Sequence, residues 1–198
     1  MTLGTDDRAA PMNGRATGRR GFLTFAAATL TAMAVPAVIP AAPAMAAPLA
    51  GGVRRIALHN INTNESFSGV YWADGAYKAD ALRKLDVLLR DHRAKQVCRF
   101  DPRLFDLLAR VHQAVDSDEP FRIICGYRSK RTNALARRRS RGVAKQSYHT
   151  RGMAVDVRLP DVELGAIADA ALDLELGGVG YYPRSGFVHL DVGPVRSW

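Results

Sequence analysis

Two short segments, Ser147–Asp156 and Phe187–Asp191, constrain the fold more than anything else in the chain, because each joins a strand-like pattern to side chains that bind metals. Gly152 and small Ala154 separate His149 from Asp156, so the chain can turn after the histidine and return along a strand toward the same point. Along that strand Met153, Val155 and Val157 fall on one side, with Ala154, Asp156 and Arg158 on the other. Phe187, His189 and Asp191 share a face of a second strand by the same two-residue period. If the strands are neighbours, His149, Asp156 and His189 meet. Two imidazoles and a carboxylate are the mixed donor set that a catalytic zinc takes, with the fourth position left open for water. A histidine in a strand can equally be a hydrogen-bonded structural residue, and spacing alone leaves both readings open.

The surrounding pattern describes a small single α+β domain. Residues 53–59 alternate as a strand, and Asn62-Thr63-Asn64-Glu65 reads as a turn into a second strand through Val70 and Trp72. Ala81, Leu82, Leu85, Leu88 and Leu89 recur at helical spacing within 78–93. Asp101-Pro102 marks the start of another helix, whose buried side runs from Leu104 to Val115. Phe121–Cys125 is an apolar strand, 130–139 a basic helix, and 161–174 a helix entered after Pro160. Strands near 179–182 and 186–192 flank a Pro183-Arg184-Ser185 turn. The expectation is a mostly antiparallel sheet with helices packed on one face and the metal site at the sheet. His59, His92 and His112 lack partners in this pattern and read as structural or surface residues.

The N-terminus carries a different message. Arg19-Arg20 directly precedes an alanine-rich apolar stretch from Phe22 to about Ile39, broken by Pro36, and Ala44-Met45-Ala46 follows as a small-x-small cleavage pattern. This resembles a twin-arginine signal peptide over residues 1–46, with 47–52 a short linker. The apolar core is short and interrupted for a permanent span, so no stable membrane span is expected after processing. Removing 46 of 198 residues leaves 152, enough for one domain with a single core.

The net charge is +9, and the leader accounts for four arginines against two aspartates. The excess is local: between Arg128 and Lys145 stand eight basic residues and no acidic one. Such a run can bind nucleic acid, can hold an exported protein on anionic wall polymers or membrane surfaces, or can be a solvated helix face. Export argues against nucleic acid. Cys98 and Cys125 can form one disulfide or remain free thiols, and a thiol nucleophile at Cys125 is the weaker idea because no histidine lies near it in sequence.

Taken in order, Cys125-Gly126-Tyr127-Arg128-Ser129, Thr132-Asn133, Ser147-Tyr148-His149 and the Gly-Phe-Val-His-Leu-Asp ending resemble the M15-type zinc D,D-peptidases, and within them the murein endopeptidase branch. The resemblance covers about residues 53–198. It implies one zinc ion per chain, held by His149, Asp156 and His189, in an enzyme that hydrolyses peptide bonds in peptidoglycan stem peptides or cross-links outside the cytoplasm, in a compartment such as the periplasm. It also gives Arg128 to the substrate carboxylate or oxyanion, with a structural ion pair as the alternative; Ser147 shapes the substrate-binding loop, and Tyr127 and Tyr148 stand either beside the substrate or as core tyrosines. Peptidoglycan peptides are the implied partner, with wall-associated regulators as further partners. One departure stands out. Many M15 D,D-peptidases place an acid three positions before the final histidine as general base, and here that position is Gly186, while the His-x-Asp ending resembles the murein endopeptidase branch. Asp191 then has two open roles, deprotonating the water or orienting a ligand imidazole. The missing acid also leaves open a non-catalytic wall-binding module that keeps the fold.

The leader makes an independent prediction. Replacing Arg19 and Arg20 with lysine preserves charge but removes the pair that the export pathway reads, so the precursor should accumulate inside cells, as fractionation and immunoblotting would show. Normal processing of that variant would mean that another route is used.

Overall fold

The computed structural model describes residues 52–140 and 142–198; the proposed leader and nearly all of the linker lie outside them. Eight strands and four helices follow one another as β1 (Val53–Asn60), β2 (Glu65–Ala73), β3 (Ala76–Tyr77), α1 (Ala79–Leu88), α2 (Arg103–Ala114), β4 (Phe121–Cys125), α3 (Lys130–Arg139), β5 (Ala154–Arg158), α4 (Leu164–Asp173), β6 (Gly178–Tyr182), β7 (Phe187–Asp191) and β8 (Arg196–Ser197). The strands form one mixed sheet in the order β3-β2-β1-β4-β5-β7-β6-β8. Only β1–β4 and β6–β8 pair in parallel.

Alternation along the central strands explains the layering. Val155 and Val157 on β5, with Val188 and Leu190 on β7, join a single apolar core that also takes Leu85 from α1, Leu104 to Val111 from α2 and Ile167 from α4. Three helices thus cover the face where these valines and leucines point. No residue of α3 belongs to that core. The intervening residues, Asp156 and His189, are left for the other face, as the two-residue period requires.

Helix ends depart from the sequence pattern where side chains intervene. The apolar repeat runs to residue 93, yet α1 stops at Leu88. The Leu88 carbonyl accepts from Asn60 Nδ2 at 2.7 Å, and the Leu89 carbonyl from the Tyr127 amide at 2.7 Å, which ties the helix end to the sheet. Buried Asp91 then accepts from the amides of Arg93, Ala94 and Ser129 at 3.1, 3.0 and 2.9 Å. Helix α4 starts at Leu164 rather than near Asp161, whose carboxylate is taken by the Ser117 hydroxyl at 2.9 Å. The turn between His149 and β5 depends on Gly152: its φ is +66°, and a Cβ there would collide with the Arg99 carbonyl. Among the described residues no helix is long and apolar enough to cross a membrane.

Asp91 links the end of α1 to the start of α3, next to Arg128. Burial alone would raise its carboxyl, but the Thr132 hydroxyl and the surrounding amides outweigh burial and hold it down at about 2. A depressed folded-state value means that the stabilisation is present above the unfolded value of about 4 and is lost as pH falls toward 2. Asp91→Ala should lower unfolding stability by about 2–4 kcal/mol in urea titrations at neutral pH, and the difference from wild type should shrink below about pH 4. An unchanged midpoint would remove Asp91 from this role.

Candidate metal centre

His149 lies in a single 3₁₀ turn, Tyr148–Arg151, which Gly152 closes before the chain enters β5. Asp156 on β5 and His189 on β7 are directly opposed in the antiparallel register. These three buried side chains converge. His149 Nε2 lies 3.1 Å from Asp156 Oδ1 and 3.1 Å from His189 Nδ1, and His189 Nδ1 lies 2.8 Å from the same Asp156 oxygen.

The outward nitrogens decide what the inward ones can do. His149 Nδ1–H donates to the Gly126 carbonyl at 2.7 Å, a group that can only accept, so His149 Nε2 carries a lone pair. His189 Nε2–H donates to Asp191 Oδ2 at 3.0 Å, which turns Nδ1 inward as the second lone pair. With Asp156 Oδ1, three acceptors face one another. A proton or a metal cation must sit among them. Burial lowers His149 below the ordinary imidazole value against the pull of Asp156, whereas in His189 burial is outweighed by the Asp156 and Asp191 carboxylates, which raise it. Burial would raise Asp156, but both imidazoles hold it well below the usual carboxylate range. Two ligands about 2.0–2.1 Å from a tetrahedral zinc stand about 3.3 Å apart, close to the two separations of 3.1 Å and about half an ångström more than the third, 2.8 Å. The donor set fits that metal in spacing and in chemistry.

Cys125 is a neighbour the sequence did not reveal. Its sulfur lies within 4.8 Å of donor atoms of His149 and Asp156. Burial pushes the thiol up to about 12, and the Gly126 carbonyl at 3.6 Å accepts from it. Cys98 and Cys125 are both free.

Asp156 and His189 open onto a cleft of about 590 Å³ whose walls include Arg128, Ser147, Tyr148, Tyr182, Phe187 and Trp198, with His149 buried behind them. Arg128 forms no ion pair with any described residue; its one side-chain bond is a long 3.4 Å contact to Ser147 Oγ, and its buried Nε has no partner. Of the two readings open for Tyr127, the structure shows the core one: it packs against the apolar core and is not among the residues lining the cleft. Asp191 reaches the trio through His189. Its carboxylate is fully buried on the far side of His189, where it accepts from Gly193 N at 2.8 Å and from both terminal nitrogens of Arg196 at 3.0 and 2.6 Å. Burial would raise it, but those bonds outweigh burial and keep it strongly acidic. Asp156 is the only acidic side chain among the described residues that line the cleft. His59 and His112 bond locally, to Ser66 Oγ and the Glu119 carbonyl, away from this site.

A family model described as peptidoglycan L,D-endopeptidase MepK, Peptidase_M15_2, matches residues 48–198. The peptidoglycan L,D-endopeptidase MepK of Escherichia coli K12 is 43% identical over 169 residues, covering 85% of this chain and 93% of the relative. A probable peptidoglycan L,D-endopeptidase MepK of Haemophilus influenzae is 45% identical over 146 residues, covering 73% and 78%. The M15 resemblance is thereby supported in its murein endopeptidase branch, with L,D rather than D,D in the relatives' descriptions.

The convergence of lone pairs makes a prediction that also sorts the neighbours. His149→Ala and His189→Ala should each lose most bound zinc, measured by elemental analysis after gel filtration, whereas Cys125→Ser should retain it. Zinc affinity should weaken as pH falls, because His189 must release its proton to bind. Full metal content in both histidine variants would overturn the assignment.

Proposed function

The chain belongs to the Peptidase_M15_2 family, and from that premise we propose that it is an exported, zinc-dependent peptidoglycan endopeptidase that cleaves an amide between an L- and a D-configured centre in murein peptides. The observation that carries the zinc reading is the inward convergence of His149 Nε2, His189 Nδ1 and Asp156 Oδ1, with each imidazole's other nitrogen already bonded. Bound there, zinc would supply Lewis acidity, lowering the pKa of a water to about 7 and polarising the scissile carbonyl.

The remaining roles fall to the chain itself. His149, Asp156 and His189 hold the ion, and the Gly126 carbonyl and Asp191 fix the two imidazole tautomers. Arg128, which lacks a carboxylate partner among the described residues, binds a stem-peptide carboxylate or the developing oxyanion from the cleft wall. Ser147 steadies that guanidinium, and Tyr148, Tyr182 and Phe187 give the cleft apolar surface against the aliphatic parts of the peptide. Asp191 acts as a support for His189 rather than as the base, since its carboxylate faces the nitrogen turned away from the trio.

Peptidoglycan lies outside the cytoplasm, so the enzyme acts there, with the twin-arginine leader as the export signal. The exposed arginines 137–139 on α3 make no ion pair with any described residue and lead into the 142–144 rim of the cleft. They raise the local concentration of an anionic wall substrate. Digestion of purified sacculi should release new amines, stop with a chelator and resume on adding zinc, with chromatography of the products identifying the bond. Zinc bound by a protein that releases no amines would favour a wall-binding module instead.

A further inference from the structure

Beyond the three candidate ligands and their immediate partners, a second layer holds Asp191 in place, and its centre is Arg196. This arginine comes from β8, a two-residue strand at the edge of the sheet paired in parallel with β6. Its guanidinium grips the Asp191 carboxylate with two bonds, at 3.0 and 2.6 Å, and also donates to the Pro194 carbonyl at 2.9 Å. The rings of Tyr148 and Trp198 each lie 4.9 Å from its central carbon. An arginine held by a bidentate carboxylate and by aromatic rings has few rotamers left to occupy. The opposing strand is shaped for it: a Cβ on Gly178 would run into both the Arg196 guanidinium and the Asp191 carboxylate.

We propose that Arg196 is a positioning residue for metal binding, acting through Asp191 to fix the His189 imidazole with Nδ1 turned toward Asp156. This rests on the zinc reading above and extends it by a residue that touches none of the three donor atoms. The physical reason is directional. Asp191 accepts His189 Nε2–H through Oδ2, the same oxygen that takes the shorter Arg196 bond, so the guanidinium sets where that acceptor points. Without it, one Asp191 oxygen keeps the Gly193 amide while the other can swing, and the imidazole is free to tilt. Outer groups of this kind commonly change metal affinity 10- to 100-fold.

Zinc affinity measured by competition with a chromophoric chelator tests this without relying on turnover. Arg196→Gln should weaken zinc binding about 10-fold, and Arg196→Lys, which keeps a cation beside Asp191, should recover part of the loss. Asp191→Asn should weaken binding about 10- to 100-fold, and adding Arg196→Gln to it should cost less than about threefold more, because the two act as one unit. Thermal unfolding of the zinc-free proteins separates positioning from folding, since a purely structural brace lowers the melting temperature and leaves the affinity of the folded protein unchanged. Wild-type affinity in Arg196→Gln, or a double variant whose loss is the product of the single losses, would overturn the proposal while leaving the zinc site intact. Failure of the wild-type protein to bind zinc would instead overturn the metal reading and this inference with it.

Discussion

The Cα register between β5 and β7 sets Asp156 directly opposite His189, and the candidate site depends on that pairing. A slip of either strand by one residue would send its own donor, Asp156 or His189, into the apolar core and bring an apolar neighbour to the cleft. Burial opposes a one-residue slip: Val155, Val157, Val188 and Leu190 are wholly buried under the helices, and such a slip would turn two of them outward. The core therefore does more than stabilise the domain. By fixing which face is apolar, it brings two acceptors together on the other face, and the Gly152 turn delivers the third from the preceding loop.

Much of this was legible in the sequence because two-residue alternation and local turn chemistry carry it. The face-sharing of Phe187, His189 and Asp191 and the need for Gly152 after His149 follow from spacing alone. Strand β4 and helix α3 fall where periodicity puts them. What was hidden depends on contacts between distant segments. The end of α1 is set by Asn60 and Tyr127, which no local window contains. Two-residue strands such as β8 have no period to read, so the arginine that grips Asp191 gave no signal. Cys125 lacks a histidine near it in sequence, yet the β4–β5 pairing sets it across from Asp156.

The absence of an acid at position 186 has a conformational basis. Gly186 closes the Pro183–Ser185 turn with φ of +70°, a region that disfavours side chains, so the segment entering β7 is built for glycine rather than for a carboxylate. With Asp191 committed to Arg196 and His189, the cleft wall carries the guanidiniums of Arg128 and Arg196 and several aromatic rings among small and neutral polar residues, and Asp156 is its one acid among the described residues. Such a surface suits a substrate that brings its own carboxylates. On the reading proposed above, Arg128, which makes no ion pair among the described residues, is the group that would meet one.

Zinc K-edge X-ray absorption of the loaded protein tests the central claim most directly, because it reads donor type and distance at the metal. Three protein donors from two imidazoles and one carboxylate predict a nitrogen and oxygen shell at about 2.0–2.1 Å, with imidazole scattering beyond it and no sulfur. A sulfur shell at about 2.3 Å would place Cys125 among the ligands and contradict the site described here.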